Sequence, residues 1–246
     1  GYLMDSNGPQ ADAEKVRAYG EGGAEHLDWL ISLGVPFKPS ELKERAMMAL
    51  TDDCLLYTGS EKAWPYKARY KPAPRGHNLE VEGDNGGPLL TKILLEQVEE
   101  RGVPIHYDSR ALRLIVDQHG PGQRVVGLVV RQDMEERYFR AQRGVVLCAG
   151  GFIMNEDMVR EYCPQFLDNK TQIGNPNDTG SGIQMGLSVG ARAINMHEGF
   201  LSLPFYPPAT LTFGIFINGQ GQRFINEDAY HGCLLYTSDA ADDTPC

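Results

Sequence analysis

Residues 144–164 read Gly-Val-Val-Leu-Cys-Ala-Gly-Gly-Phe-Ile-Met-Asn-Glu-Asp-Met-Val-Arg-Glu-Tyr-Cys-Pro. A short apolar run, Gly144 to Cys148, stops at Gly150-Gly151 and passes into a segment of helical composition. That order predicts a buried parallel strand that delivers its carboxyl end to a ligand, because strands covered on both faces read as unbroken apolar runs. Glycines at such a point let the backbone come close to a bulky ligand where a side chain would collide. Taken alone, a double glycine is weak evidence and is more often a plain tight turn. Cys148, inside the run, reads as a small core residue.

Outward from this stretch the pattern stays ordered. Downstream, Asn177-Asp178-Thr179-Gly180-Ser181-Gly182 precedes Ile183, Met185, Leu187 and Val189, with Gly190 at the end. Small and polar residues opening a helix present unpaired backbone N–H groups, which suit an anion or an electron-rich ring, or else form an ordinary cap. Upstream, Ile105 to Val116, Arg124 to Arg131 and Glu136 to Arg140 are β-rich runs. They are broken at His119-Gly120-Pro121-Gly122 and at Gln132-Asp133, which predicts an antiparallel meander. Before the meander, Gly86-Gly87-Pro88 opens a helix with Leu90, Ile93, Leu94 and Val98 at helical spacing, closed by Gly102. An acidic amphipathic helix is expected over Glu14 to Leu33, with Leu27, Leu30 and Ile31 on one face and Gly34 and Pro36 as stop signals. Lys38 to Asn85, rich in Pro, Gly, Tyr and charge, reads as long excursions around a site. Phe213 to Ile217 and Gln222 to Ile225 read as a hairpin about Asn218-Gly219, leading into Asn226-Glu227-Asp228-Ala229-Tyr230-His231-Gly232.

Composition bounds the partners. The chain has 246 residues, 41% hydrophobic and 23% charged, enough for a sizeable core in one large domain or two smaller ones. A formal charge of −10 with no basic stripe disfavours nucleic acid. No apolar run approaches the ~20 residues needed to cross a bilayer, so no membrane span is expected. Cys54, Cys148, Cys163, Cys233 and Cys246 form no Cys-x-x-Cys pair, which argues against a zinc site or disulfide scaffold and for a reducing, cytoplasmic setting. No metal site is expected.

The last stretch, residues 233–246, Cys-Leu-Leu-Tyr-Thr-Ser-Asp-Ala-Ala-Asp-Asp-Thr-Pro-Cys, continues no preceding pattern. It resembles the translation of a sequencing adapter and is expected to be a non-native tail outside the fold. No Gly-x-Gly-x-x-Gly occurs, although the rest reads like a dinucleotide fold that should begin with one. An internal fragment is the simplest expectation.

Three motifs in register carry a family resemblance: Cys148-Ala149-Gly150-Gly151-Phe152, Asp178-Thr179-Gly180-Ser181-Gly182-Ile183, and Gly221-Gln222-Arg223-Phe224-Ile225-Asn226-Glu227. With the meander before them, they make the chain resemble the flavoproteins of the fumarate reductase and 3-ketosteroid dehydrogenase superfamily. The likeness covers roughly Gly86 to Gly232. Pro204 to Pro208 and Asn226 to Gly232 look most like the 3-ketosteroid Δ4-dehydrogenase branch. The resemblance implies an α/β fold: a partial Rossmann-like FAD-binding domain with a β-meander over residues 1–203, lacking its first βαβ unit, then the start of a substrate (cap) domain over 204–232.

FAD is the implied cofactor. Its adenine would lie by the backbone of Ala111, its contacts at the strand end would be Ala149, Gly150 and Gly151, and Gly180, Ser181 and Gly182 would stand nearer the flavin. The implied reaction removes two hydrogens beside a small-molecule ketone, a steroid in the branch resembled; Tyr230 takes the proton and flavin N5 the hydride. An unidentified electron acceptor would reoxidise the flavin. Fumarate reductases carry a Thr-Arg-Asp type segment after their Asn-Glu, whereas Ala229-Tyr230-His231-Gly232 has no arginine, which ranks the dicarboxylate reading second. A non-catalytic fragment or binding module is a third reading. Arg223 reads either as part of its motif or as a surface hairpin residue. His77 reads as a surface histidine, and the adjacent Glu227 and Asp228 point to different faces and make no acid/base dyad.

Overall fold

The structure is a computed structural model and describes residues 1–43, 51–83, 85–119, 124–168, 172, 174–199, 214–224 and 226–227. Its elements in chain order are α1 (Tyr2–Ser6), α2 (Ala13–Ser32), β1 (Lys38–Glu41), β2 (Asp53–Leu56), α3 (Tyr66–Arg69), β3 (Gly76–His77), α4 (Gly86–Glu100), β4 (Ser109–Asp117), β5 (Arg124–Gln132), β6 (Glu135–Arg140), α5 (Glu156–Tyr162) and α6 (Ser181–Ser188). The fold is mixed helix and strand. Contacts group the described residues into two compact units, one drawn from 1–104 and 214–227, the other from 105–199.

In the first unit, α2 begins where Asp12 caps it, its carboxylate accepting from the N–H groups of Glu14 and Lys15 at 3.0 and 3.1 Å. Capping satisfies amides that the first helical turn leaves without partners. The helix ends as expected before Gly34, with the Val35 N–H returning to the Leu30 carbonyl at 3.1 Å. Leu27 and Leu30 are half-buried, but Ile31 is exposed, so the apolar face is narrower than its spacing predicts. Helix α4 matches its predicted start and closes at Gly102. Lys38 to Asn85 holds more regular structure than expected: β1 pairs parallel with β2, and β2 pairs antiparallel with β3. Val35, Cys54, Leu56, Ala63, Tyr66 and Leu79 form the apolar core here, with Glu61 buried among them.

The second unit is built on the meander, β4 against β5 against β6, all antiparallel. Strand β4 starts at Ser109, not at Ile105. The β5–β6 turn is Asp133-Met134, both at positive φ, which is the two-residue hairpin loop whose twist suits the strands. The register puts Ala111, Leu114, Leu128, Val130 and Phe139 on one face and Arg113, Val129 and Tyr138 on the other, with Val130 and Val129 buried on opposite faces. Val129, Val130, Met158, Val159, Cys163, Phe166 and Met185 are the buried hydrophobic residues of this unit.

Two expectations are corrected. Gly144 to Cys148 is not a strand: neither three-stranded sheet includes it. A parallel strand exists only where a neighbour completes its ladder, and no such neighbour lies among the described residues. Consistently, Val146 is 86% exposed, and Cys148 is exposed, not a core residue. Of the Asn218-Gly219 hairpin, the described residues show one bridge, between Ile217 and Arg223. Its turn closes at Gly221, the residue with positive φ, where the N–H of Gly221 meets the Asn218 carbonyl at 2.9 Å.

Candidate functional site

The segment Ala149 to Gly151 meets the turn that opens α6. The Gly180 N–H donates to the Gly151 carbonyl at 2.9 Å, and the Met154 N–H donates to the Asp178 carbonyl at 3.0 Å. Asn155 ties the same two segments from its side chain: Oδ1 accepts from the Met158 N–H at 3.2 Å, capping α5, while Nδ2 donates to the Thr179 carbonyl at 2.9 Å. The turn itself is closed by Asp178, whose Oδ2 accepts from the Asn175 N–H at 3.0 Å.

Missing side chains make this junction possible. Gly150 has φ +70°, and a Cβ there would stand 2.0 Å from Asp178 Oδ1. Gly180 has φ +75°, and its Cβ would fall 2.3 Å from Met158 Sδ and 2.9 Å from Phe152 Cβ. Non-glycine residues pay for positive φ, and here they would also collide. Gly182, buried in the first turn of α6, comes so close to Ala149 that an added Cβ would lie 2.9 Å from the Ala149 Cβ. Gly151 differs: a Cβ there would meet nothing within 4 Å. Ala149, Gly150 and Gly151 are exposed, so a strip of bare backbone faces open space beside a helix start. No side chain caps α6, whose first helical bond is Gln184 N–H to the Gly180 carbonyl at 2.9 Å. Uncapped first-turn amides favour an anionic or electron-rich partner.

Ala149, Gly150, Gly151, Gly180, Ser181 and Gly182 are thus brought together. Ala111, half-buried on β4 opposite Val130, lies on the strand that α6 packs against. Tyr230, Asp228 and the tail 233–246 lie outside the described residues.

A second cluster was missed from sequence. The Glu227 carboxylate, 9% exposed, accepts from the Phe216 N–H at 3.0 Å and from Arg223 through both Nε and Nη2. The Arg223 hydrogen bonds, helped by the Phe216 amide and opposed by burial, hold its carboxyl down at about 2. An arginine four residues before a glutamate, across a turn, was the available signal. Asn226 Nδ2 reaches the Trp64 carbonyl at 3.4 Å. Equally unforeseen is Glu61, 1% exposed, paired with Arg75 at 3.2 Å.

A family model described as an FAD binding domain matches residues 1–234. The chain belongs to the FAD-binding domain family. Among similar proteins, the probable fumarate reductase Ifc3 of Shewanella frigidimarina is 30% identical over 189 residues, covering 76% of this chain and 27% of that protein. The NADH:acrylate oxidoreductase of Vibrio harveyi is 32% identical over 219 residues, covering 82% of this chain and 18% of that protein. Among solved structures, the 3-ketosteroid-Δ4-(5α)-dehydrogenase of Rhodococcus jostii RHA1, in complex with 4-androstene-3,17-dione, superposes with a TM-score of 0.81 at 37% identity. The match covers 92% of this chain and 47% of that one. The chain therefore spans less than half the length of each of these relatives.

The residues present fit FAD. Bare backbone at Gly151 leaves room for a flat, bulky group, and the uncapped start of α6 offers amides to it. Among the described residues, no helix is long and apolar enough to cross a membrane, and no group of three or more His, Cys, Asp and Glu could hold a metal ion.

Proposed function

We propose that this chain is the FAD-holding part of an oxidoreductase that removes two hydrogens beside a ketone, with 3-ketosteroids as the substrate class. The likeness at 37% identity to a 3-ketosteroid-Δ4-(5α)-dehydrogenase, over 92% of the chain, carries this reading. In it, residues 1–203 form a Rossmann-like FAD-binding domain and 204–232 begin a substrate domain. The Ala111 backbone lies by the adenine, Ala149 to Gly151 line the cofactor with bare backbone, and Gly180 to Gly182 stand nearer the flavin.

The bound cofactor supplies a hydride acceptor at flavin N5. Tyr230 supplies the other half of the balance, taking a proton from the carbon next to the one that loses hydride, so that a C=C bond forms. A free tyrosine titrates near 10, so proton acceptance by Tyr230 requires a relay or a neighbouring charge. An external electron acceptor then completes the cycle.

The test is Tyr230→Phe in the FAD-loaded protein, assayed with a 3-ketosteroid. Loss of a positioned acid or base costs about 10² to 10⁴ in rate, with the yellow spectrum retained. Normal turnover by the variant assigns the proton elsewhere. A reductase of fumarate or a similar enoate is the second reading, supported by the relatives at 30% and 32% identity. Two carboxylates demand cationic partners, and Ala229-Tyr230-His231-Gly232 provides no arginine. Reduction of fumarate with no response to any 3-ketosteroid would establish it.

A further inference from the structure

We infer that one face of the β4–β5–β6 meander docks a second copy of this chain, taking the acidic stripe of that copy's helix α2. The pairing register sets Arg110, Arg131 and Glu136 in one row across the strands, Arg113 in the next row and Arg140 in the third, all on the same face. Arginines scattered along the sequence thus gather around a single carboxylate, in a chain whose formal charge is −10. That carboxylate is already engaged: Arg113 donates to Glu136 from Nη1 and Nη2, at 3.1 and 2.7 Å. Arg110, Arg131 and Arg140 are exposed, and none of them has an ion pair among the described residues. Arg110 and Arg131 are direct cross-strand partners, and like charges so opposed destabilise a sheet until something neutralises them.

Charge and length identify the occupant. Helix α2 carries Glu14, Glu21, Glu25 and Asp28, spaced by seven, four and three residues, which puts them on one face of a helix. The half-buried Val16, Leu27 and Leu30 lie on the opposite face, so the stripe is turned away from the helix's own packing. All four acids are exposed and without an ion pair among the described residues, and Arg17 flanks them. From Glu21 to Asp28 the stripe covers ~11 Å of helix. The arginine rows cover ~13 Å of strand. A helix laid along the rows brings Glu21, Glu25 and Asp28 within reach of the three unpaired arginines. Each copy is negative overall, so whole-molecule repulsion opposes association, and the contact is made locally, within the ~10 Å over which charges act unscreened. The contact is independent of the substrate assigned above.

Sedimentation equilibrium of the full chain tests it, at about 50 mM salt, where surface charge is weakly screened. Wild type is expected to self-associate as its concentration rises to about 300 μM. Arg110→Glu with Arg131→Glu, and separately Glu21→Lys with Glu25→Lys, should each weaken association about tenfold or more, since several exposed ion pairs are lost and reversed. An equal mixture of the two variants should recover it, because the acidic helix of the first meets the arginine face of the second; recovery also shows that both are folded. Lys92→Glu, an exposed reversal on α4, should change nothing. A wild type that stays monomeric over this range overturns the inference, as does association that survives either reversal. Two monomeric variants with native circular dichroism that stay apart on mixing overturn it too, and leave the arginine face to an acidic partner other than this chain.

Discussion

The Gly150–Gly180 junction and the Arg223–Glu227 clamp hold chain segments together by opposite means. At the junction, two segments meet because side chains are missing, and the contacts are backbone N–H to carbonyl bonds with Asn155 as a tie. At the clamp, a buried carboxylate collects an arginine and an amide. A contact made of absence tolerates no added atom and ignores pH. A contact made of charge tolerates changes of shape and fails in acid.

Gly180→Val should break the first kind most severely. Positive φ with a branched side chain, together with the collision at Met158 and Phe152, should cost about 3 kcal/mol or more and abolish FAD binding. Urea unfolding and FAD fluorescence titration measure both; a variant with wild-type stability would show the junction to be loose.

The clamp should show its charge in a pH series. Glu227 is held at about 2 when folded, below its ordinary 4.5, so its stabilisation is fully present above about pH 4.5 and is lost as pH falls through 2. We expect that component to be about 2 kcal/mol, reduced from the full shift because Arg223 is largely solvated. Glu227→Gln should lose it at pH 7 and unfold with a flatter acid profile. An unchanged acid limb would place the clamp outside the stabilising set.

Gly151→Ala is the sharpest contrast at the smallest cost. With nothing within 4 Å and no positive φ, the added methyl should change stability by no more than about 0.5 kcal/mol. FAD affinity should nonetheless fall, because the methyl occupies the space left for the cofactor. Equal losses of stability at positions 151 and 180 would erase the distinction between an interlocked glycine and an open one.

What could be read from sequence follows the same division. Local patterns placed α2, α4, the meander and α6 within a few residues, since helical periodicity, caps and turn residues act over short range. Gly150 and Gly180 were legible because their positive φ and close neighbours leave room for glycine alone. The strand at Gly144 to Cys148 misled, because its apolar composition encodes a burial that needs a neighbouring strand, and composition cannot say whether that neighbour is at hand. Ion pairs were invisible for a related reason: Glu61 and Arg75 meet only once β2 and β3 have paired, and Glu227 is recruited by a turn whose closing residue was misplaced.

The bare backbone at Ala149 to Gly151 also gives the molecule a chemical address. Cys54 and Cys163 are buried, and burial pushes both thiols up, away from the reactive thiolate. Cys148 is exposed, next to Ala149 and the glycine pair. Among these described cysteines, an alkylating reagent would therefore meet Cys148 first, and its rate of modification reads out directly whether anything has settled over that strip of backbone.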